Sequence, residues 1–137
     1  MRDERDYEPR EWPPARRVAR DWVSHGLRCV ITRGDFALCG YVLLPADHPN
    51  ADDGYLTPNV RIHGGLTFRQ KDTSGGTWFG FDTAHYGDWT ETPYSVRPGR
   101  VWTVDDMVTE CEELAAQFIS LQQQQPPPSS SQHSASD

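Results

Sequence analysis

The chain has one lysine, two methionines and three cysteines in 137 residues, and it has no long apolar run. A membrane span needs roughly 20 consecutive apolar residues, so neither a span nor a membrane partner is expected. The first residues, MRDERDYEPREW, mix charges of both signs with no apolar stretch behind them. A secretory signal would need that stretch, and a cytoplasmic location is therefore expected. Cys29, Cys39 and Cys111 are odd in number and include no C-x-x-C pair, which argues against a disulfide framework or a zinc knuckle. Two of them sit in apolar runs and Cys111 falls on the apolar face of a periodic segment, so they are expected as buried thiols behaving as small hydrophobes.

Positive charge is scarce too. The net charge is −7 and the pI about 5.1, a balance that repels a phosphate backbone unless the bases cluster. Six arginines (Arg2, Arg5, Arg10, Arg16, Arg17 and Arg20) do lie in the first twenty residues, but Asp3, Glu4, Asp6, Glu8 and Glu11 interleave with them. The segment is near neutral, so no nucleic-acid partner is expected.

What remains fits one domain. Residues 1–12 read as a flexible charged arm and 13–121 as a single α+β domain. Residues 122–137, QQQQPPPSSSQHSASD, read as a disordered tail that cannot pack, and His133 within it has no role. Ala15, Val18, Ala19, Trp22 and Val23 follow Pro13-Pro14 at helical spacing and precede Gly26, which predicts a short N-terminal helix with His25 at its cap. Runs 27–32 and 36–44, joined by Arg33-Gly34-Asp35, predict a hairpin; the RGD triplet is read as turn chemistry, not as an adhesion motif. The acidic stretch 46–59 is a loop, and His48 within it is expected on the surface; the D-x-D-x-D-G calcium pattern is absent. Strands are predicted at 60–68 and 77–82 with 70–76 between them. Val104, Met107, Val108, Cys111, Leu114, Ala115 and Phe118 repeat at helical spacing behind a Thr103/Asp106 capping box, predicting a C-terminal helix. The fold class expected is an antiparallel sheet of four or more strands packed against that helix.

Chemistry-bearing residues gather in VRIHGGLTF (60–68) and WFGFDTAHYGDW (78–89). A hairpin between the two strands, with partner numbers summing to about 147, brings His63 to the same end as Asp82 and His85. Gly64 and Gly65 allow positive φ and can turn backbone N–H groups toward an anion. Alternation puts Trp78, Gly80 and Asp82 on one strand face, where the missing side chain leaves room for a ligand or a close backbone. Three readings stay open. In the first, these residues satisfy turns and the core edge. In the second, His63, Gly64, Gly65, Thr67, Trp78, Asp82, His85 and Asp88 line a binding site for a small polar or nucleotide-like ligand, with Tyr86, Trp89 and Trp102 as aromatic walls. In the third, His63, Asp82 and His85 hold a divalent metal for hydrolysis, or His85 acts as a general base oriented by Asp82 or Asp88. No nucleophile stands out, and Thr67 and Thr83 read as ordinary strand and turn threonines. No cofactor is expected beyond a possible divalent metal. A protein partner, met through the acidic face of the last helix or through exposed aromatics, is the alternative to a small ligand.

The patterns Cys39-Gly40-Tyr41-Val42, His48-Pro49, HGGLTF at 63–68, FGFD at 79–82 and Ala84-His85-Tyr86-Gly87-Asp88 resemble those of a group of small uncharacterised proteins found in bacterial and phage genomes. The resemblance covers about residues 28–121 and carries no settled chemistry with it. A phage setting implies a nucleotide-like signal of host defence as a ligand to test.

Overall fold

The computed structural model describes residues 12–34, 37–54, 58–83 and 101–124. One turn of 3-10 helix, Ala15–Arg17, leads into β1 (Val18–Ser24), β2 (Leu27–Arg33), β3 (Leu38–Leu44), β4 (Phe68–Lys71) and β5 (Thr77–Asp82), followed by helix α1 (Val104–Gln124). The strands form one antiparallel sheet in the order β1-β2-β3-β5-β4. This is the α+β architecture expected, with α1 on one face of the sheet. No helix among the described residues is long and apolar enough to cross a membrane.

The helix forms as its pattern predicts. The Thr103 N–H donates to Asp106 Oδ2 at 3.0 Å and the Asp106 N–H to Thr103 Oγ1 at 3.1 Å, a reciprocal cap that satisfies two otherwise orphaned donors. Met107, Cys111, Leu114, Ala115 and Phe118 are buried against the sheet with Cys29, Ile31, Val42, Phe79 and Phe81. Each large side chain in that layer contributes about 1.5–3 kcal/mol of burial. The helix continues to Gln124, three residues into the stretch read as tail, because glutamine propagates a helix well.

Two segments depart from expectation. Only Ala15–Arg17 of the N-terminal helix is helical, and Val18–Ser24 is strand. His25 (φ 54°) and Gly26 (φ 79°) both take the left-handed conformation, the requirement of a two-residue hairpin turn whose twist matches its strands. Ser24 then pairs with Leu27 and Trp22 with Cys29. His25 is thus a turn residue and caps no helix. The spacing of Ala15, Val18, Ala19, Trp22 and Val23 fits a helix, but backbone pairing with β2 decides the conformation. Arg20 and Trp22 reach α1 from this strand, at Asp105 and Glu112.

The second departure is at 60–67. The strand begins only at Phe68, and its partners (Phe68 with Gly80, Lys71 with Thr77) sit one residue from the expected register. Upstream, the chain leaves the sheet for α1. The Gln117 side-chain amide accepts the Arg61 N–H at 2.6 Å and donates to the Arg61 carbonyl at 2.7 Å, standing in for a missing strand partner. Val60, Ile62 and Leu66 join the core beneath α1.

The pairing of β3 with β5 carries two contacts that no larger residue allows. Gly40 lies opposite Phe81, and a Cβ there would come within 2.7 Å of the Phe81 ring and 2.8 Å of Cys111 Sγ. Tyr41 lies opposite Gly80, where a Cβ would come within 2.4 Å of the Tyr41 ring. One ring covers its glycine on the α1 face and the other on the helix-free face. On the helix-free face Tyr41 meets Trp12 edge-on at 5.5 Å and Phe68 at 5.1 Å, while Trp12 stacks on Phe68 at 5.0 Å. Val30 and Trp78 complete this second core.

Gly80→Ala is expected to lower stability by about 1–3 kcal/mol, the usual cost of overpacking, as read from urea denaturation. Gly54→Ala, where nothing lies within 4 Å of the added methyl, is expected to change it by less than about 0.5 kcal/mol. Equal effects of the two would show that the Tyr41 ring does not constrain position 80.

Candidate functional site

The segment that carries HGGLT turns sharply. The Gly65 N–H donates to the Ile62 carbonyl at 2.9 Å, and Gly64 and Gly65 hold φ of 70° and 80°. Positive φ at the third position of such a turn favours glycine strongly, so Gly64 is the residue the turn requires. His63 sits at its corner with its ring 4.5 Å from that of Trp102, tilted by 50°. Trp102, 8 % exposed, belongs to the core under α1. Leu66 turns into that core, while Thr67 is exposed and its N–H joins the Gly80 carbonyl at 2.8 Å. The Thr67 hydroxyl donates to Asp82 Oδ2 at 3.0 Å. Thr67 and Asp82 are thereby fixed together at the end of β5.

The predicted residues divide accordingly. His63, Gly64, Gly65 and Thr67 form one continuous turn, which meets Asp82 through Thr67 and Trp102 through His63. Trp78 is elsewhere: it is fully buried in the second core, and its indole N–H donates to Asp72 Oδ1 at 3.0 Å. It shares a strand face with Asp82 as alternation predicts, but it lines no part of the turn. The room expected beside Gly80 is filled by the Tyr41 ring. His85 and Asp88, with Tyr86 and Trp89, lie outside the described residues. Among the described residues no three His, Cys, Asp or Glu side chains are grouped to hold a metal ion, and the alternative set of His63, Asp82 and His85 has one member beyond them.

A second polar feature was not anticipated from sequence. An open cleft of about 720 Å³ lies over the second core on the helix-free side, lined by Trp12, Val18, Asp21, Arg28, Asp72 and Thr73 among others. The Arg28 guanidinium donates from Nε to Asp21 Oδ1 at 3.0 Å and from Nη2 to Asp21 Oδ2 at 2.7 Å, and lies 5.4 Å over the Trp78 ring. The bond to Asp21 raises its already high pKa further. Burial would raise the Asp72 carboxyl, but hydrogen bonds from Ser74 and the Trp78 indole, with the nearby Arg28 charge, outweigh it and hold the group below its ordinary value. Asp21 engages Arg28 through both oxygens, and Asp72 engages Ser74 and Trp78 in the same way. The network caps the second core: Asp21 and Arg28 are committed to each other and Asp72 to neutral N–H donors. The DTSGG turn held a sequence clue, since Asp at the head of a turn commonly binds the backbone N–H two residues on; its reach to Trp78 depends on the hairpin register.

No family model, curated protein or solved structure matches this chain.

The Asp72 arrangement has a pH signature. A carboxyl whose folded pKa is depressed adds stability above its unfolded value near 3.8, and that stability is lost as pH falls through the folded value. Asp72→Asn is expected to cost about 1–2 kcal/mol at neutral pH, with the deficit shrinking below about pH 4. Urea denaturation across pH 2.5–7 (about 0.5-unit steps, to resolve the titration) checks this; a deficit constant over the range would mean the carboxylate charge is not what holds Trp78.

Proposed function

We propose that this chain is a non-catalytic binding protein for a small polar or nucleotide-like ligand, seated at the HGGLT turn and the end of β5. The observation that supports the reading best is the Thr67–Asp82 hydrogen bond. It joins the turn to the carboxylate at the last position of the most buried strand, so that polar groups rest on rigid elements. Gly64, Gly65 and Thr67 are exposed beside them, and the His63–Trp102 ring contact adds an aromatic neighbour. Such sites commonly combine a few convergent polar groups with an aromatic or apolar wall. The cleft at Arg28 is the weaker candidate because Asp21 and Arg28 already engage each other and Asp72 already accepts from Ser74 and Trp78. In this reading His85 and Asp88 extend the site, and the resemblance to small bacterial and phage proteins suggests an accessory protein that captures a signalling nucleotide.

Thermal shift and calorimetric titration against cyclic dinucleotides and ADP-ribose-type nucleotides test the reading. At least one is expected to bind, with affinity falling at least tenfold in His63→Ala and in Thr67→Val, since each loses about 1.4 kcal/mol or more of contact. If none binds, the nucleotide reading falls. A metal adduct in native mass spectrometry that disappears in His63→Ala would favour the hydrolase instead.

A further inference from the structure

His48, expected at the surface, is 3 % exposed and joins the loop after β3 to α1. Its Nε2 lies 2.8 Å from the Phe118 carbonyl oxygen, and its Nδ1 lies 3.0 Å from the backbone nitrogen of Asn50. A carbonyl only accepts and a backbone N–H only donates, so the ring must be neutral with its proton on Nε2. The Phe118 ring stands edge-on to it at 5.8 Å.

Protonation breaks this arrangement. An imidazolium has no acceptor, and a proton on Nδ1 would point at the Asn50 N–H. The neighbourhood already carries an unrelieved cost. Asn50 Nδ2 donates to Asp53 Oδ2 at 2.7 Å, but its Oδ1 is buried without a partner among the described residues; opening the junction would return that oxygen to water. Among the described residues, the loop's other hydrogen bonds and ion pairs to the rest of the fold run to the sheet: Thr77 Oγ1 to the Ala51 carbonyl, Arg69 Nε to the Asp53 carbonyl and Lys71 to Asp52.

We propose that His48 is a proton-operated latch between the loop at 46–54 and the C-terminal half of α1, released by acidification while the sheet remains folded. Among the described residues, the charged groups bearing on the ring are Asp47 and Asp53 of its own loop, and α1 faces it with the Phe118 carbonyl and ring. Burial lowers the imidazole's affinity for a proton, against the opposing pull of the Phe118 carbonyl and the two carboxylates. A histidine depressed in the folded state gives its full stabilisation above its unfolded value near 6.5. That stabilisation is lost as pH falls through the window between the unfolded and folded values, and it is constant below.

The wild-type protein is tested by NMR from pH 7.5 to pH 4 (about 3.5 units, to span both titration limits). The His48 ring nitrogens are expected to show an unprotonated Nδ1 at neutral pH. The Asn50 amide protection factor should then fall at least tenfold in step with the His48 titration, while the Val30, Ile31 and Val42 amides keep theirs. In His48→Gln the Asn50 protection factor should be independent of pH over the same range; if that variant fails to fold, the wild-type titration decides alone. A protonated Nδ1 at neutral pH, or an Asn50 protection factor that tracks those of β2 and β3 throughout, overturns the latch.

Discussion

The structure depends on the close approach of β3 to β5. Two glycines, Gly40 and Gly80, each lie opposite an aromatic residue of the other strand, and the two rings cover them from opposite faces of the sheet. An aromatic laid across a glycine recovers the packing that a bare backbone forfeits and pins the register, because a slip of one residue would put a side chain where the ring must go. Phe81 then presents to α1 and Tyr41 to the helix-free face. Both cores are thus built outward from one pair of strands.

From that centre the outer elements are held by less apolar means. The loop at 46–54 meets the helix through His48, the segment at 60–67 meets it through the Gln117 amide, and β1 reaches it with the exposed pairs Arg20–Asp105 and Trp22–Glu112. Exposed pairs add little stability, whereas the buried His48 imidazole joined to backbone at both nitrogens is costly to break. The junctions of α1 therefore differ in strength and in sensitivity to pH. On the helix-free face the Asp21–Arg28–Trp78–Asp72 network seals the aromatic cluster, which explains why Trp78 lies apart from the candidate site.

Several residues of the short sequence patterns acquire a physical reason here. Gly40 with Phe81 and Tyr41 with Gly80 are the two interlocked pairs, Gly64 serves the turn at His63, and His48 is the buried link to α1. These are reasons of architecture. The proposed binding site rests on His63, Thr67 and Asp82, through the turn and the Thr67–Asp82 hydrogen bond. The sequence pattern brought His63 to the end of the hairpin that holds Asp82 and His85; in the structure it is Thr67 that meets Asp82, and His85 lies outside the described residues. The route was different, because the segment before Phe68 follows the helix instead of continuing the hairpin.

The sequence by itself determined the elements whose signal is local. α1 follows from an apolar repeat and a cap only three residues apart, the β2–β3 hairpin from apolar runs flanking a turn, and the buried Cys29 and Cys111 from their apolar settings. Tertiary structure alone decided Val18–Ser24, where helical spacing lost to backbone pairing with β2, and His48, whose place in the core depends on a carbonyl seventy residues away in the chain. It also decided the 60–67 segment, whose backbone found its partner in a glutamine of the helix. In each case the deciding hydrogen bonds join elements that composition and periodicity treat separately, and a pattern read along the chain carries no record of them.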